Sequence, residues 1–428
     1  MKNNHFMANR RNSFIYPGVV FLLVFSAWVM VFFLLGINQK PATGDEIGYI
    51  NRGVGFLENG WRALSDGWRP PLLPLLVAFV NLFVDIDSLL NTVRVINISF
   101  VSVVPALWIG EYIVSRRDNR LIFMALLTAL WPAYYFLAFS VYAEAASFLL
   151  LNILLLLSIR LKRSSKLLSI NSIGFSLCLA MLFLFKANNV LVSIPFGLYI
   201  LFFGSGVFLK RAARVSVLAI MAFLLISPWL VFLKNEGGEW VATTTGGYNL
   251  LVGTGHHSFG MGSDNRAIHR KYLFDAYGGE FPRINSEENN IIDSQPDKYS
   301  LNKVSSSIAM RIWSEDTREM LNFSIRKVMH SYGMSFRGVM DYVVFLLLAS
   351  SIVASVFLLC FKRCYDVIFL TWSMFFVECV VSFFWLPNIR FKVFYCDTVT
   401  FYLLASFVSM AFHKMFLLDK DTLRPKFS

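Results

Sequence analysis

The sequence has few charged residues: 15% of its 428 residues are charged, while 56% are hydrophobic. An ordinary soluble domain has roughly 25% charged and 45–50% apolar residues. The apolar residues are gathered into blocks of about twenty with almost no charge, the length that a helix needs to cross a bilayer. The composition therefore excludes a soluble chain and predicts an all-α polytopic membrane protein.

Cysteine is also scarce, with five in the chain. Cys178 and Cys379 fall inside apolar blocks, and Cys360 and Cys364 flank a turn that is predicted to be cytoplasmic, where thiols stay reduced. The pattern therefore supports neither a disulfide framework nor a zinc quartet.

Ten apolar blocks predict about ten transmembrane helices. They are Phe14–Ile37, Leu89–Val114, Leu121–Phe139, Tyr142–Ile159, Leu168–Phe185, Asn189–Leu209, Val215–Leu233, Tyr342–Phe361, Tyr365–Leu386 and Val393–Phe412. An eleventh apolar segment, Pro70–Val84, is too short for a span and is interpreted as re-entrant or interfacial.

The net charge of +12 is explained by membrane orientation. With the N-terminus inside, 19 of the 39 lysines and arginines lie in cytoplasmic segments, and every short inward turn is basic. An even number of spans then places both termini in the cytoplasm and two long loops, Asn38–Ser88 and Lys234–Met340, on the far side. The positive charge therefore does not require nucleic acid as a partner, and the predicted partners include membrane lipids.

Four places on the far side contain residues suited to chemistry, because a charge near hydrocarbon is costly and is usually kept for a function or a partner. The first is the pair Asp45-Glu46, which suits a general base or a cation, although its spacing alone favours a capped helix start with Thr43 or Asp45 as N-cap. The second is Arg69, at the entry to the short segment, which suits a phosphate or a lipid headgroup.

The third place comprises Glu144 and Lys186 at opposite span ends, each of which needs a partner in space or access to water. The fourth is the glycine-rich stretch 243–262, which suits either close approach to a ligand or a flexible loop without one. Its spacing is not that of a phosphate-binding P-loop.

The ordered set of these features resembles the GT-C superfamily of membrane glycosyltransferases. Within it, the similar branch contains the protein O-mannosyltransferases and the lipid A aminoarabinose transferase. The features are Asp45-Glu46 with Tyr49, Arg69–Leu72, Arg94, Pro132, Glu144, Lys186, Pro228-Trp229, Gly246–Gly253, and a lateral helix over Arg311–Tyr332.

The resemblance implies a GT-C-like catalytic module over residues 1–235, with its first periplasmic loop at 38–88. A periplasmic loop bearing an amphipathic helix follows at 236–340, and C-terminal spans with a short cytoplasmic tail at 341–428. It also implies a bacterial inner-membrane enzyme that transfers a hexose or pentose, with inversion, from a polyprenyl-phosphate carrier. The acceptor would be a hydroxyl of a lipid, glycan or protein at the periplasmic face.

The resemblance implies a role for each site residue. Asp45 would be the base, and Glu46 and Glu144 would orient the acceptor or a cation. Lys186, Arg69 and Arg390 would hold the departing phosphate. Tyr49 and Asn249 are also expected at the substrate. A divalent cation is optional in the superfamily and is left open, and the resemblance implies no other cofactor.

The chain departs from the family pattern in two motifs: Arg390–Phe394 lacks a proline, and the glycine motif closes as Gly253-Thr254. Two other classes compete with this interpretation. A flippase or transporter of lipid-linked glycans would show internal repeats, which the sequence lacks. A polysaccharide polymerase would lack the acidic pair.

Overall fold

The chain folds into α-helices, and no strand occurs within residues 2–115, 118–254, 286–315, 317–332, 339–361, 364–384 and 396–422, which the computed structural model describes. Seventeen helices in these ranges are numbered here in chain order. They are α1 Lys2–Leu34, α2 Asp45–Asn59, α3 Leu72–Asn81, α4 Ile86–Val114, α5 Asn119–Leu130, α6 Pro132–Ala138, α7 Ala143–Arg163, α8 Ile170–Phe185, α9 Ser193–Phe203, α10 Phe208–Gly237, α11 Gly246–Gly253, α12 Ser286–Asp293, α13 Lys298–Glu315, α14 Thr317–Ser331, α15 Val339–Cys360, α16 Tyr365–Phe384 and α17 Asp397–Thr422.

The chain is an all-α, membrane-spanning protein. Within the described ranges, α1, α4, α7, α10 and α16 are long and apolar enough to cross a bilayer, and α5 with α6 adds a sixth span if the bent pair is one unit. Shorter apolar helices cover the other predicted blocks, at Ile170–Phe185, Ala187–Phe203, Val344–Cys360 and Asp397–Ala411. The count of ten spans stays a prediction.

The predicted span Leu121–Phe139 is not one continuous helix. It is broken between α5 and α6, whose axes differ by 51°. Trp131 has extended backbone angles, and Pro132 is the first residue of α6. Proline lacks the N–H that would continue α5 and disfavours a helical residue before it, so the break falls where the sequence places the proline.

The apolar segment Pro70–Val84 forms the ten-residue helix α3, which packs on α2. At 1.5 Å per residue α3 is about 15 Å long, half of a bilayer's hydrocarbon thickness. Gly53 of α2 permits the close approach, because a Cβ there would lie 2.4 Å from Val77 Cγ1 and 2.9 Å from the Pro74 carbonyl oxygen.

The central bundle is built on α4 and α7. Helix α4 packs against α1, α5 and α7, while α7 packs against α8, which in turn packs on α10. The outer faces of α1 and α10 expose large apolar side chains, among them Leu23 and Leu224. In a membrane-spanning protein such faces are in contact with lipid tails.

Two expectations for the second long loop are corrected by the structure. The glycine-rich motif Gly246–Gly253 is not an irregular loop but the helix α11. The single helix expected over Arg311–Tyr332 is two helices, since α13 ends at Glu315 and α14 begins at Thr317. Helix α11 packs on α13, and the two share a small core that contains Leu251 and Leu301.

Candidate functional site

Helix α2 presents Asp45, Tyr49 and Arg52 on one face, because residues four and seven apart in a helix lie above one another. The neighbouring face is buried against the bundle and contains Glu46 and Gly53, and Tyr49 is buried between the two faces. The expected N-cap is wrong, since Gly44, in a positive-φ conformation, occupies that position and Asp45 lies in the first turn.

Asp45 forms an ion pair with Arg69 from the segment before α3, with 2.5 Å between Asp45 Oδ1 and an Arg69 Nη atom. The Arg69 guanidinium also lies over the ring of Tyr49, 4.9 Å from its centroid. Burial opposes the charged guanidinium, but Tyr49, Asp45 and Glu144 together raise the pKa of Arg69 above its ordinary value. Arg69 is therefore a permanent cation next to the Asp45 carboxylate.

Glu144 and Lys186 form a second ion pair, with 2.8 Å between Glu144 Oε1 and Lys186 Nζ. Glu144 lies in the first turn of α7, and Lys186 follows the last residue of the antiparallel helix α8, so both residues lie at the same end of the bundle. The amide of Asn189 donates to Ser147 Oγ at 2.9 Å and fixes the Lys186 segment on α7. Each of these charges thus has a partner in space, which is one of the two alternatives that the sequence left open.

The two ion pairs are neighbours. Glu144 contributes to the raised pKa of Arg69, so the carboxylate of the second pair acts electrostatically on the cation of the first. All four charged side chains are partly or largely buried, and Glu144 is the most enclosed. We refer to Asp45, Arg69, Glu144 and Lys186 as the charge cluster.

Glu46 is not part of the charge cluster. Its carboxylate receives two hydrogen bonds from the Arg94 guanidinium at 3.0 and 3.1 Å, and both side chains are almost fully buried. The amide of Val141, in the turn before α7, donates to Glu46 Oε1 at 2.8 Å, and the amide of Thr43 donates to Oε2 at 3.1 Å. This geometry favours a positioning role for Glu46 over direct participation in chemistry.

Arg94 completes this connection by donating to main-chain carbonyls of the segment that follows α1. Its Nη1 atom donates to Ile37 and Lys40 at 3.1 and 2.9 Å. One buried ion pair thus joins the segment after α1, the start of α2, the third turn of α4 and the turn that leads to Glu144.

The glycine-rich segment borders the charge cluster through the residues that precede Arg69. The Thr244 amide donates to the Gly67 carbonyl at 3.0 Å, and its hydroxyl donates to the Asp66 carbonyl at 2.7 Å. The rings of Trp68 and Tyr248 lie 5.5 Å apart. The second long loop therefore docks on the residues adjacent to Arg69.

The remaining predicted site residues have different outcomes. Asn249 is on α11 with an exposed side chain, and no hydrogen bond of that side chain to the described residues is found, so the structure does not bring it to the charge cluster. Arg390 lies outside the described residues. Within the described ranges no group of three or more His, Cys, Asp or Glu side chains that could hold a metal ion comes together.

Two further groups were missed by sequence reasoning. Arg52 pairs with Asp66 beside the charge cluster, and its position seven residues after Asp45 on a helix could have revealed it. Lys327 of α14 is buried and donates to the Gly253 carbonyl at 2.6 Å. Burial lowers the pKa of Lys327 to about 7. A lysine in an amphipathic helix is ordinarily exposed, so its sequence context contained no indication of this.

Comparisons with known proteins do not extend this description: no family model, no curated protein and no solved structure matches the chain. The resemblance to GT-C enzymes therefore rests on the residues of this chain.

Proposed function

We propose that the protein is a membrane glycosyltransferase that moves a sugar from a polyprenyl-phosphate carrier to a hydroxyl at the face of the membrane where the charge cluster lies. One observation carries the proposal: the Asp45–Arg69 and Glu144–Lys186 ion pairs lie within electrostatic range of each other at one end of a bundle of apolar helices. Transfer from a lipid-linked phosphate needs a base for the acceptor and cations for the leaving group, next to a membrane.

In the proposed reaction the Asp45 carboxylate accepts the proton of the acceptor hydroxyl. The acceptor oxygen forms a bond to the anomeric carbon with inversion, and the bond from that carbon to the phosphate oxygen breaks. The electron pair leaves with the polyprenyl phosphate, and Arg69 and Lys186 hold the resulting anion. Partial burial of both cations strengthens their attraction for the phosphate relative to an exposed site.

The proposal assigns ten spans to the chain, with both termini in the cytoplasm and the charge cluster on the periplasmic side. It is supported by the coincidence of the described apolar helices with the predicted blocks. It is also supported by the basic residues at the opposite end of α7, where Lys162 pairs with Asp366 at 2.5 Å. The short apolar helix α3, next to Arg69 in the chain, is proposed as a wall for the prenyl chain.

The test compares cells that produce the wild type, the Asp45→Asn variant, or no copy of the protein. Mass spectrometry of lipids, glycans and envelope proteins measures any hexose or pentose mass that depends on the wild type. We expect Asp45→Asn to reduce this product by about a hundredfold or more, since a general base contributes about 10²–10⁴-fold. The matched control is Asp87→Asn, because Asp87 is an exposed acid in the same predicted loop.

A second measurement addresses the carrier. Undecaprenyl phosphate binding to the purified full-length chain in lipid nanodiscs should weaken at least tenfold in Lys186→Gln and remain unchanged in Asp87→Asn. The proposal is wrong if no sugar mass depends on the wild type, or if Asp45→Asn leaves that mass undiminished. Unchanged binding in Lys186→Gln would remove Lys186 from the carrier site.

A further inference from the structure

Arg52 lies on the same face of α2 as Asp45, about two turns further along the helix and outside the charge cluster. Its Nη2 atom pairs with Asp66, and its Nη1 atom donates to the Gly48 carbonyl at 3.2 Å. A guanidinium has five N–H donors, so Arg52 retains donor capacity beyond these two contacts. Its Nε–H group is buried, has no hydrogen-bond partner among the described residues and does not face solution. Part of the side chain is exposed, which leaves it accessible from solution.

A second cation, Lys298 at the start of α13, lies over the ring of Trp68, two residues from Asp66 in the chain. Lys298 Nζ lies 4.6 Å from the centroid of the Trp68 ring. Burial lowers the pKa of Lys298, Asp66 raises it, and Arg52 lowers it further, so the two cations lie within electrostatic range of each other and of Asp66. Asp66 is therefore paired with Arg52 and lies within electrostatic range of Lys298.

The position of Asp66 is fixed by the backbone around it. Its carboxylate accepts a hydrogen bond from the Trp68 amide at 3.1 Å, and its carbonyl accepts one from the Thr244 hydroxyl. Asp66 therefore stays in place when a ligand competes for Arg52. The nearby carboxylate of Asp297 accepts hydrogen bonds from the Ser300 hydroxyl and from the main-chain amides of Tyr299 and Ser300.

We propose that Arg52 and Lys298 form a subsite that recognises an acidic group, phosphate or carboxylate, on the acceptor. The inference rests on the proposed function, because it takes Asp45 as the base that marks the reacting hydroxyl. Arg52 lies seven residues from Asp45 along α2, a rise of about 10 Å at 1.5 Å per residue. The acceptor is then an acidic glycan or glycolipid whose charge lies about 10 Å from the hydroxyl that receives the sugar.

The test measures binding of three soluble probes to the purified full-length chain in nanodiscs by microscale thermophoresis: glucose 6-phosphate, glucuronic acid and glucose. We expect the acidic sugars to bind more tightly than glucose, and the tighter of the two identifies the acidic group. Arg52→Gln and Lys298→Gln should each weaken acidic-sugar binding at least tenfold. Arg62→Gln is the matched control, since Arg62 is an exposed arginine in the turn after α2.

Arg52→Gln alone leaves Asp66 without its cation, which could destabilise the fold. The double variant Arg52→Gln/Asp66→Asn removes both charges and therefore controls for that loss of stability. It should lose acidic-sugar binding while undecaprenyl phosphate binding stays at the wild-type level. Retained acidic-sugar binding in this variant, or equal binding of glucose and glucose 6-phosphate, would overturn the subsite.

The outcomes separate the inference from the proposed function. If glucose 6-phosphate binding falls in Lys186→Gln and not in Arg52→Gln, the anion occupies the proposed carrier site and the acceptor subsite is wrong. If undecaprenyl phosphate binds in a Lys186-dependent way and neither acidic sugar binds, the carrier site stands and the subsite alone fails. If Asp45→Asn leaves sugar transfer intact, the proposed function fails first.

Discussion

The Glu46→Gln substitution tests how strongly the buried Glu46–Arg94 pair stabilises the fold. The exposed fractions of the two side chains are 2% and 3%. Glutamine keeps the shape of Glu46 and an oxygen for the Val141 amide, but it removes the negative charge and leaves the Arg94 guanidinium buried without a counter-ion. Breaking a buried pair in this way costs about 3–5 kcal/mol of unfolding free energy.

Arg94 keeps part of its environment in the variant, because the carbonyls of Ile37 and Lys40 still accept its hydrogen bonds. We therefore expect a loss near the lower end of the range, about 3 kcal/mol. The double variant Glu46→Gln/Arg94→Met removes both charges and should recover most of that loss, since replacing both partners of a buried pair is often close to neutral.

The assay is unfolding by sodium dodecyl sulfate in mixed micelles, followed by the fluorescence of the ten tryptophans. The matched control is Glu239→Gln, which breaks the 3.1 Å pair with Lys303, whose side chains are 57% and 73% exposed. An exposed pair contributes about 0–1 kcal/mol, so this variant should unfold close to the wild type.

The positioning role of Glu46 is refuted if Glu46→Gln unfolds as the Glu239→Gln control does, or if the double variant is no more stable than the single one. A Glu46→Gln variant with wild-type stability and no sugar transfer would instead support the catalytic role that the acidic pair suggested.

Two further predictions concern the second long loop. Gly247→Ala should destabilise the protein by about 1–3 kcal/mol in the same unfolding assay, because the new Cβ would lie 2.1 Å from the Asn302 carbonyl oxygen. Gly246→Ala is its control and should have little effect, since the nearest atom there is 3.8 Å away; equal losses would exclude the close packing of α11 on α13 as the cause. Buried Lys327 has a pKa of about 7 against 10.5 ordinarily, so between these values the unfolded chain binds more protons and stability should rise with pH. Lys327→Met should reduce that rise from pH 7 to 10 while Lys303→Met, an exposed control, keeps it; a rise that persists unchanged in Lys327→Met contradicts the burial argument.

The sequence predicts the helices of this protein well because a helix in a membrane is specified by local composition. A block of about twenty apolar residues satisfies its own backbone hydrogen bonds and gains from contact with lipid whatever its neighbours are. One exception has a local cause, since Pro132 breaks a predicted span. The other does not: Gly246–Gly253, expected in a loop, form a helix in which Gly247 lets the backbone approach α13 closely.

The sequence predicts which charged residues are important, but it does not predict which of them pair with each other. Glu144 and Lys186 were each expected to need a partner or access to water, and the two pair with each other across 42 positions of the chain. The adjacent acids Asp45 and Glu46 differ completely in environment, because consecutive helical residues point in directions about 100° apart and only one of those directions faces the bundle.

The sequence by itself determined that the chain is a helical membrane protein and which charges lie near hydrocarbon, because both follow from the cost of placing polar groups in lipid. The tertiary structure decided which charges meet. Packing of α4, α7 and α8 brings Arg94 to Glu46 and Lys186 to Glu144, and the segment before α3 brings Arg69 to Asp45. Pairing is a long-range property, set by the distances between helices, and local sequence patterns do not encode those distances.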